Sequence, residues 1–318
     1  MYRPALPALL LALLLGLALL PVGARAGVEP VPPDQPAAMS LPQAVLLGVV
    51  EGLTEYLPVS STGHLILTQR AMGIGQTKAD NRAADAYSIA IQAGAILAVL
   101  TLYFPYMRRM GAGLLGRDPE GFRLARNIGV AFLPAAVIGL LFHELIKQYL
   151  FGLWPIVFAW FVGGAAILAV TWAGRGRPER PGFALEGLTW KAALVIGLLQ
   201  CVAMWPGTSR SLVTIVGGLL VGMNLTSAVV FSFLLGVVTL TAATVYDVYK
   251  HGGLMLEVFG FVNLATGFVV ATLAAVVSVK WFLAYLKRHG LALFGYYRIA
   301  LAVVVAVLML TGLLTDRI

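Results

Sequence analysis

The sequence predicts an all-α polytopic membrane protein, and three observations lead to this fold class. Hydrophobic residues make up 60% of the 318 residues, whereas charged residues make up only 11%. Globular proteins carry roughly 25% charged residues, so this chain is too apolar for a water-soluble domain. The mean hydropathy of +0.90 agrees with that conclusion. The basic residues behind the net charge of +8 lie in short loops between apolar segments. Such loops fit membrane topology and do not indicate a nucleic-acid partner.

The first 40 residues are predicted to precede the membrane domain. Arg3 is followed by an apolar run at 9–20, and Ala24-Arg25-Ala26 resembles a signal-peptidase site. We therefore expect residues 1–26 to be a secretory signal peptide or, if it is not cleaved, an N-terminal membrane segment. The proline-rich residues 27–40 would follow as a tether on the outer side in either case.

Six apolar segments in the predicted domain at 41–318 are long enough to cross a hydrocarbon core of roughly 30 Å. They lie near 86–104, 128–146, 154–173, 226–246, 259–284 and 291–314. Loops rich in arginine and lysine are expected to face the cytoplasm. The residues that mark these inner loops are Arg108, Arg109, Arg117, Arg123, Arg126, Arg175, Arg177, Arg180, Lys191, Lys287 and Arg288. The loops at 147–153 and 247–258 carry few basic residues and are expected outside.

Two further apolar stretches, 41–73 and 191–223, must each return to the side from which they enter if the orientation is to alternate. Each is interrupted by a polar cluster, at 58–64 in one and 206–211 in the other. Non-helical backbone within a membrane is tolerated where it lines a protein cavity. The sequence therefore predicts two re-entrant helical hairpins.

The two hairpins resemble each other. Gly48-Val-Val-Glu51 and Gly197-Leu-Leu-Gln200 each lead to a proline followed by a short run of small and hydroxyl residues. By the distribution of basic residues, the first hairpin opens outward and the second opens inward, and three spans follow each. This pattern predicts an inverted-topology repeat, a plan common in transporters.

Glu51 and Glu55 lie inside the first apolar stretch, where charged side chains are costly and mark functional sites. At i and i+4 the two carboxylates share one helix face. Because like charges repel, the pair needs a cation, or one member must hold a proton. We predict that Glu51 and Glu55 bind a divalent metal, Mg²⁺ or Ca²⁺. The sequence leaves open which glutamate dominates.

The cluster that begins at Pro206 reads as a tight turn leading into a helix. Thr208 or Ser209 can cap that helix, which leaves backbone N–H groups free to bind an anion. Arg210 adds a guanidinium that matches phosphate oxygens. No acidic residue lies near Arg210 in the sequence to pair with it.

The first cluster supplies a predicted nucleophile and base. Ser61 could attack phosphorus if a base removes its proton, and His64 is the predicted base. A metal-bound water is the alternative nucleophile, and the sequence does not separate the two. The other hydroxyl residues of the two clusters are predicted to bind substrate: Ser60, Thr62, Thr208, Ser209, Ser211 and Thr214.

The carboxylate pair, the anion-binding helix start with its arginine, and the nucleophile with its base together indicate metal-assisted phosphoryl transfer on a lipid phosphate within the membrane. The alternative is a transporter or lipid-phosphate flippase, in which the glutamates couple ions and Arg210 holds a phosphate without chemistry. A transporter needs no nucleophile, so Ser61 favours the enzyme. The single cysteine, Cys201, excludes an intrachain disulfide and a cysteine-rich metal site.

The motifs resemble those of the undecaprenyl pyrophosphate phosphatase family of bacterial membrane enzymes. The segment from Gly48 to Leu65 is similar to the glutamate-rich motif of that family, and the segment from Pro206 to Thr214 to its P-G-x-S-R-S-x-x-T motif. Shorter similarities occur at 91–99, 231–235 and Tyr297-Arg298. The likeness extends from about residue 41 to 314.

This resemblance implies catalytic roles for Glu51, Glu55, Ser61, His64 and Arg210, with Mg²⁺ or Ca²⁺ as cofactor. It also implies hydrolysis of undecaprenyl pyrophosphate to the monophosphate carrier used in cell-wall synthesis. The site would face the periplasm from the bacterial inner membrane, and a homodimer is an expected assembly. Three positions depart from the family pattern: Ser88 in place of an acidic residue, Val230 in place of a glutamate and Val238 in place of a proline.

Overall fold

The computed structural model describes residues 39–74, 78–173 and 182–314, and these ranges are almost entirely helical. Only an isolated bridge between Phe183 and Met223 has β geometry within them. The predicted signal peptide, nearly all of the tether and the basic residues Arg175, Arg177 and Arg180 lie outside the described residues.

Ten helices follow one another along the described ranges. They are α1 (Leu41–Thr54), α2 (Ser61–Ala71), α3 (Lys78–Leu102), α4 (Phe104–Leu114), α5 (Pro119–Leu150), α6 (Leu153–Ala173), α7 (Trp190–Gln200), α8 (Arg210–Leu220), α9 (Leu225–His289) and α10 (Ala292–Leu310). Short 3₁₀ turns occur at Leu185–Gly187 and Cys201–Met204.

The chain is a multi-pass membrane protein, as its composition predicts. Within the described ranges, six helical segments are long and apolar enough to cross a membrane. They are Ala84–Leu102, Pro119–Phe142, Leu153–Ala173, Leu225–Lys250, Val258–His289 and Ala292–Leu310. Each overlaps one of the six segments expected from the sequence.

Several of the predicted loops between the spans contain helix. The inner loop after the first span begins with α4, on which Phe104, Leu114 and Arg108 are exposed. The outer loop at 247–258 is also helical, and within α9 the backbone departs from helical geometry at Gly260, with φ 69° and ψ 158°. Glycine adopts this left-handed φ without the steric cost that a side chain would add.

Both predicted hairpins are present, and their helices are too short to cross a bilayer. The helices that follow the breaks, α2 and α8, have 11 residues each, or about 16 Å at 1.5 Å per residue. The capping residues Ser60 and Ser209 are the described non-glycine residues with positive φ, at 74° and 76°. This shared, strained conformation at equivalent places supports the predicted repeat.

Close packing by glycine also recurs in both halves. A Cβ atom added to Gly48 on α1 would lie 2.7 Å from the carbonyl oxygen of Gly267 on α9. At the corresponding Gly197 on α7, a Cβ atom would lie 2.7 Å from the Cα of Ala131 on α5. In both halves, therefore, the first helix of a hairpin packs through a glycine against the second span that follows the other hairpin.

Gly52 provides a test of this packing. A Cβ atom there would lie 2.7 Å from the Cβ of Ala274 and 2.8 Å from the backbone nitrogen of Ala275. We expect Gly52→Ala to lower the free energy of unfolding by about 1–3 kcal/mol, because α1 must move away from α9. Gly129→Ala is the control, since a Cβ atom at that helical glycine meets nothing within 4 Å. Equal thermal unfolding midpoints for the two detergent-solubilised variants would contradict the close contact.

Candidate functional site

The two hairpins meet at their non-helical turns. The carbonyl oxygen of Leu57, in the first turn, accepts hydrogen bonds from the hydroxyls of Ser211 at 2.8 Å and Ser209 at 3.4 Å. Both serines belong to the second hairpin. The contact brings together the two polar clusters that the sequence singles out, although about 150 positions separate them.

Glu55 contacts side chains of both hairpins. It follows α1 directly, and its N–H still donates to the carbonyl of Glu51 at 3.0 Å, so the two glutamates share one helix face as predicted. Its carboxylate accepts a hydrogen bond from the Ser61 hydroxyl through Oε2 and pairs with Nη2 of Arg210 at 3.3 Å through Oε1. Glu55 is thus the acidic partner of Arg210 that the local sequence lacks.

Arg210 is held in position by neighbours on α9 and in the turn that follows α1. Its Nη1 donates to the carbonyl of Ser232 at 3.0 Å, and its guanidinium carbon lies 5.7 Å from the centre of the Tyr56 ring. A Cβ atom at Gly236 would lie 2.6 Å from that carbon, so glycine leaves the space that the guanidinium occupies. Its Nε has no hydrogen-bond partner and stays available as a donor.

Glu51 is fully buried, and neither oxygen of its carboxylate has a hydrogen-bond partner. The charged side chains that act on it most are Glu55 and Arg210. With both carboxylates ionised, the two glutamates and Arg210 would sum to one formal negative charge in a buried place, and a buried charge without a partner is costly. A cation would offset that charge, so the residues fit the predicted divalent metal.

The donor set for such a metal is small. Among the described residues, no group of three or more His, Cys, Asp or Glu side chains could hold a metal ion. Magnesium usually keeps several waters and takes only one or two carboxylates from a protein. Glu51 and Glu55 together therefore suffice for a metal of this type.

Ser61 and His64, the predicted nucleophile and base, have different hydrogen-bond partners in the structure: Ser61 bonds to Glu55, and His64 bonds elsewhere. Nδ1 of His64 lies 2.6 Å from the carbonyl oxygen of Ser60, and Nε2 lies 2.8 Å from the hydroxyl of Tyr297. Because side chains on a helix lean toward its N-terminus, Ser61 at the start of α2 reaches back to Glu55. His64, one turn later, instead meets Ser60 and α10.

The histidine environment also indicates its tautomer. A carbonyl oxygen can only accept, so Nδ1 of His64 carries the proton and donates to Ser60. Nε2 of the neutral ring then accepts from the Tyr297 hydroxyl. The ring packs between Tyr297 and Trp160, with centroid distances of 5.7 and 5.4 Å.

The hydroxyl residues predicted to bind substrate have different surroundings. Ser60 and Ser209 cap α2 and α8 by accepting from Gly63 and Leu212. Ser209 is thus the cap of the second helix, and Thr208 is the buried residue before it.

Thr62, Ser211 and Thr214 differ in exposure. Thr62 is exposed, whereas Ser211 and Thr214 are fully buried. The hydroxyl of Thr214 donates to the carbonyl of Arg210 at 2.8 Å and lies 2.6 Å from the hydroxyl of Ser232. Ser211 and Thr214 therefore support the second hairpin in this structure, and their contact with phosphate stays a prediction.

Several residues around the site carried no assigned role in the sequence analysis. Gln92 of α3 donates to Glu55 at 3.4 Å, and the indole N–H of Trp160 on α6 donates to the carbonyl of Val59 at 3.1 Å. Arg298 is fully buried in the apolar helix α10. A charged residue within a membrane span indicates a functional region by default, and this signal could have identified Arg298 from the sequence.

Comparison with known proteins places the chain in a family. The profile of the family described as bacitracin resistance protein BacA matches residues 44–304. The chain belongs to the BacA family. That match includes the turns of both hairpins and all the residues of the candidate site.

Three curated proteins similar to this BacA-family chain are named as undecaprenyl-diphosphatases. An undecaprenyl-diphosphatase from Sorangium cellulosum is 48% identical over 263 residues, which are 82% of this chain and 84% of that protein. An undecaprenyl-diphosphatase 2 from Rhodospirillum rubrum is 44% identical over 274 residues, 86% and 96% of the two chains. An undecaprenyl-diphosphatase from Nitrosomonas europaea is 42% identical over 272 residues, 85% and 95% of the two chains.

Proposed function

We infer that this chain is an undecaprenyl-diphosphatase, which hydrolyses undecaprenyl pyrophosphate to undecaprenyl phosphate and inorganic phosphate. The observation that carries this conclusion is the identity of 48% over most of the chain with a protein of that name. The site adds chemical support, since a hydroxyl, a carboxylate and a guanidinium meet inside the membrane domain.

Ser61 is the group best placed to attack phosphorus. Its hydroxyl already donates to Glu55, which can take the proton as the Oγ–P bond forms. The bond between the terminal phosphorus and the bridging oxygen breaks, and undecaprenyl phosphate leaves. Water then hydrolyses the phosphoserine, which releases inorganic phosphate and regenerates Ser61. Arg210 binds the oxygens of the transferred group.

Glu51 and Glu55 would hold the divalent metal, Mg²⁺ or Ca²⁺. When bound, the metal supplies Lewis-acid stabilisation of the charge on the phosphate oxygens. The carboxylate of Glu51 supports this assignment because both of its oxygens are buried and unpartnered. Attack by water, on which His64 would act, is the alternative mechanism that the sequence leaves open.

The names of the relatives favour hydrolysis over the transporter or flippase considered from the sequence. The decisive assay measures phosphate release by the purified chain from undecaprenyl pyrophosphate with Mg²⁺ or Ca²⁺ present. We expect turnover that stops with a chelator. No release of phosphate with either metal would contradict the enzymatic function and favour the alternative, a transporter or flippase.

The sidedness of the site is proposed from the distribution of basic residues. The first hairpin enters from the outer side, so the pyrophosphate is cleaved on the periplasmic face of the bacterial inner membrane. A homodimer stays a prediction, which the mass of the protein–detergent complex in solution would test.

Thiol labelling tests that orientation. Thr62 is exposed at the start of α2, whereas a side chain at Gly63 would lie 2.9 Å from the Cε2 of Trp160, so Thr62→Cys is the suitable variant. In a Cys201→Ala background, we expect a membrane-impermeant thiol reagent to label it in spheroplasts. The control Arg117→Cys, on the predicted inner face, should react only after permeabilisation. The reverse pattern would contradict the topology and the catalytic side.

A further inference from the structure

Arg298 makes an unusual set of contacts for a buried charge. Its guanidinium donates to four backbone carbonyls, those of Pro58 at 3.2 Å, Gly207 at 2.8 Å, Ala159 at 2.8 Å and Trp160 at 3.4 Å. Pro58 lies in the first hairpin turn and Gly207 in the second. A single side chain of α10 therefore connects both turns and α6.

Side chains supply most of the hydrogen bonds to the carbonyls at the first break, although those of Leu57 and Ser60 also accept from the backbone N–H groups of Val59 and His64. The carbonyls of the first turn, from Leu57 to Ser60, each accept from a side chain: Ser211, Arg298, Trp160 and His64 in that order. Unpaired carbonyls inside a membrane are costly, so the break between α1 and α2 depends on these donors. Two members of this set join the hairpins: Ser211 belongs to the second hairpin itself, whereas Arg298 reaches both turns from α10.

The two turns that Arg298 bonds to are adjacent in sequence to the proposed catalytic residues. Glu55 and Ser61 flank Pro58 on the first hairpin, and Arg210 follows Gly207 on the second. The ion pair between Glu55 and Arg210 spans the two hairpins at 3.3 Å. Its geometry therefore depends on the relative position of the turns.

We propose that Arg298 is a positioning residue that keeps the two hairpin turns in register, so that Ser61 and Glu55 face Arg210. The proposal deepens the proposed function and rests on it for its kinetic test. Arg298 itself need not touch the substrate, because all four of its bonds go to backbone oxygens.

The shape of the side chain, more than its charge, carries this role. A guanidinium presents five donors in a planar fork, whereas a lysine ammonium is a point charge with three donors. Lysine at this position would keep the charge but could not reach both turns and α6 together. Gly163 offers an independent perturbation, because a Cβ atom there would lie 2.8 Å from the Cζ of Arg298 and displace it.

The kinetic test compares Arg298→Lys and Gly163→Ala with the wild type in detergent. We expect Arg298→Lys to lower kcat about 100-fold while KM changes less than about threefold, since misplaced reacting groups slow chemistry more than binding. Gly163→Ala should shift kcat in the same direction. Arg108→Lys, on the exposed face of α4, and Gly129→Ala are the matched controls and should keep wild-type kinetics.

A second readout does not depend on turnover. Thr208 is buried beside Gly207, so Thr208→Cys in a Cys201→Ala background reports exposure of the second turn. We expect Arg298→Lys to raise the rate of thiol labelling at this position about tenfold, as local opening becomes easier. If the wild type released no phosphate but labelling still rose, the positioning role would stand and the proposed function would fail.

Two results would overturn the proposal. One is wild-type kcat and labelling in Arg298→Lys, which would make the fork dispensable. The other is a loss of activity that matches the fraction of unfolded protein, measured by thermal unfolding and elution volume, with unchanged KM and labelling in the folded fraction. The second result would reduce Arg298 to a contributor to stability.

Discussion

Glu55→Gln is expected to lower kcat for undecaprenyl pyrophosphate about 1,000-fold, because the variant loses a general base and a charged partner together. The carboxylate accepts the hydrogen bond from Ser61 and pairs with Arg210. Glutamine has similar size and keeps one carbonyl oxygen, but it cannot take the proton and leaves a buried guanidinium without its counter-charge. Phosphate release under saturating substrate measures the effect.

The control for this change is Glu120→Gln. Glu120 also pairs with an arginine, Arg109, at 2.5 Å. Its side chain is 58% exposed, so solvent screens this ion pair. We expect wild-type activity in that variant. Activity within a few-fold of the wild type in Glu55→Gln, with the fold intact, would remove Glu55 from the mechanism.

Glu51→Gln is expected to lower activity about 100-fold and yet to raise thermal stability in metal-free buffer. The carboxylate of Glu51 is fully buried and has no hydrogen-bond partner, so replacing it with a neutral amide removes a burial cost. Loss of activity with gain of stability is typical of a residue kept for function at the expense of the fold.

The same variant separates metal binding from a structural role. A ligand that binds the folded state raises the unfolding midpoint. Magnesium should therefore raise the midpoint of the wild type and have little effect on Glu51→Gln. An equal rise in both proteins, or a lower midpoint for the variant without metal, would contradict the assignment of Glu51 as a metal ligand.

Much of the fold follows from the sequence because its signals are local. Apolar length predicts the six spans, and the polar clusters at 58–64 and 206–211 predict the two breaks. The capping role of Ser209 follows from its side-chain oxygen just before a helix. Helix α4 does not follow from the sequence analysis, because Arg108 and Arg109 are interpreted there as residues of a loop that only sets topology.

The contacts of the site are harder to predict because they join distant parts of the chain. The pair between Glu55 and Arg210 spans 155 positions, and the bond from Arg298 to Pro58 spans 240. The expected partnership of Ser61 and His64 came from their closeness in sequence. Helix geometry directs the two side chains to different neighbours, so closeness in sequence does not give their hydrogen-bond partners, and the role of His64 as a base stays a prediction.

The central claim is that Ser61, activated by Glu55, attacks the substrate. The most direct measurement is a rapid acid quench of the wild type with undecaprenyl pyrophosphate labelled in its terminal phosphate, followed by mapping of the label. The account predicts phosphate on Ser61 during turnover and no label or turnover in Ser61→Ala. Full turnover without labelled serine, together with substantial activity in Ser61→Ala, would contradict it and identify water as the attacking group.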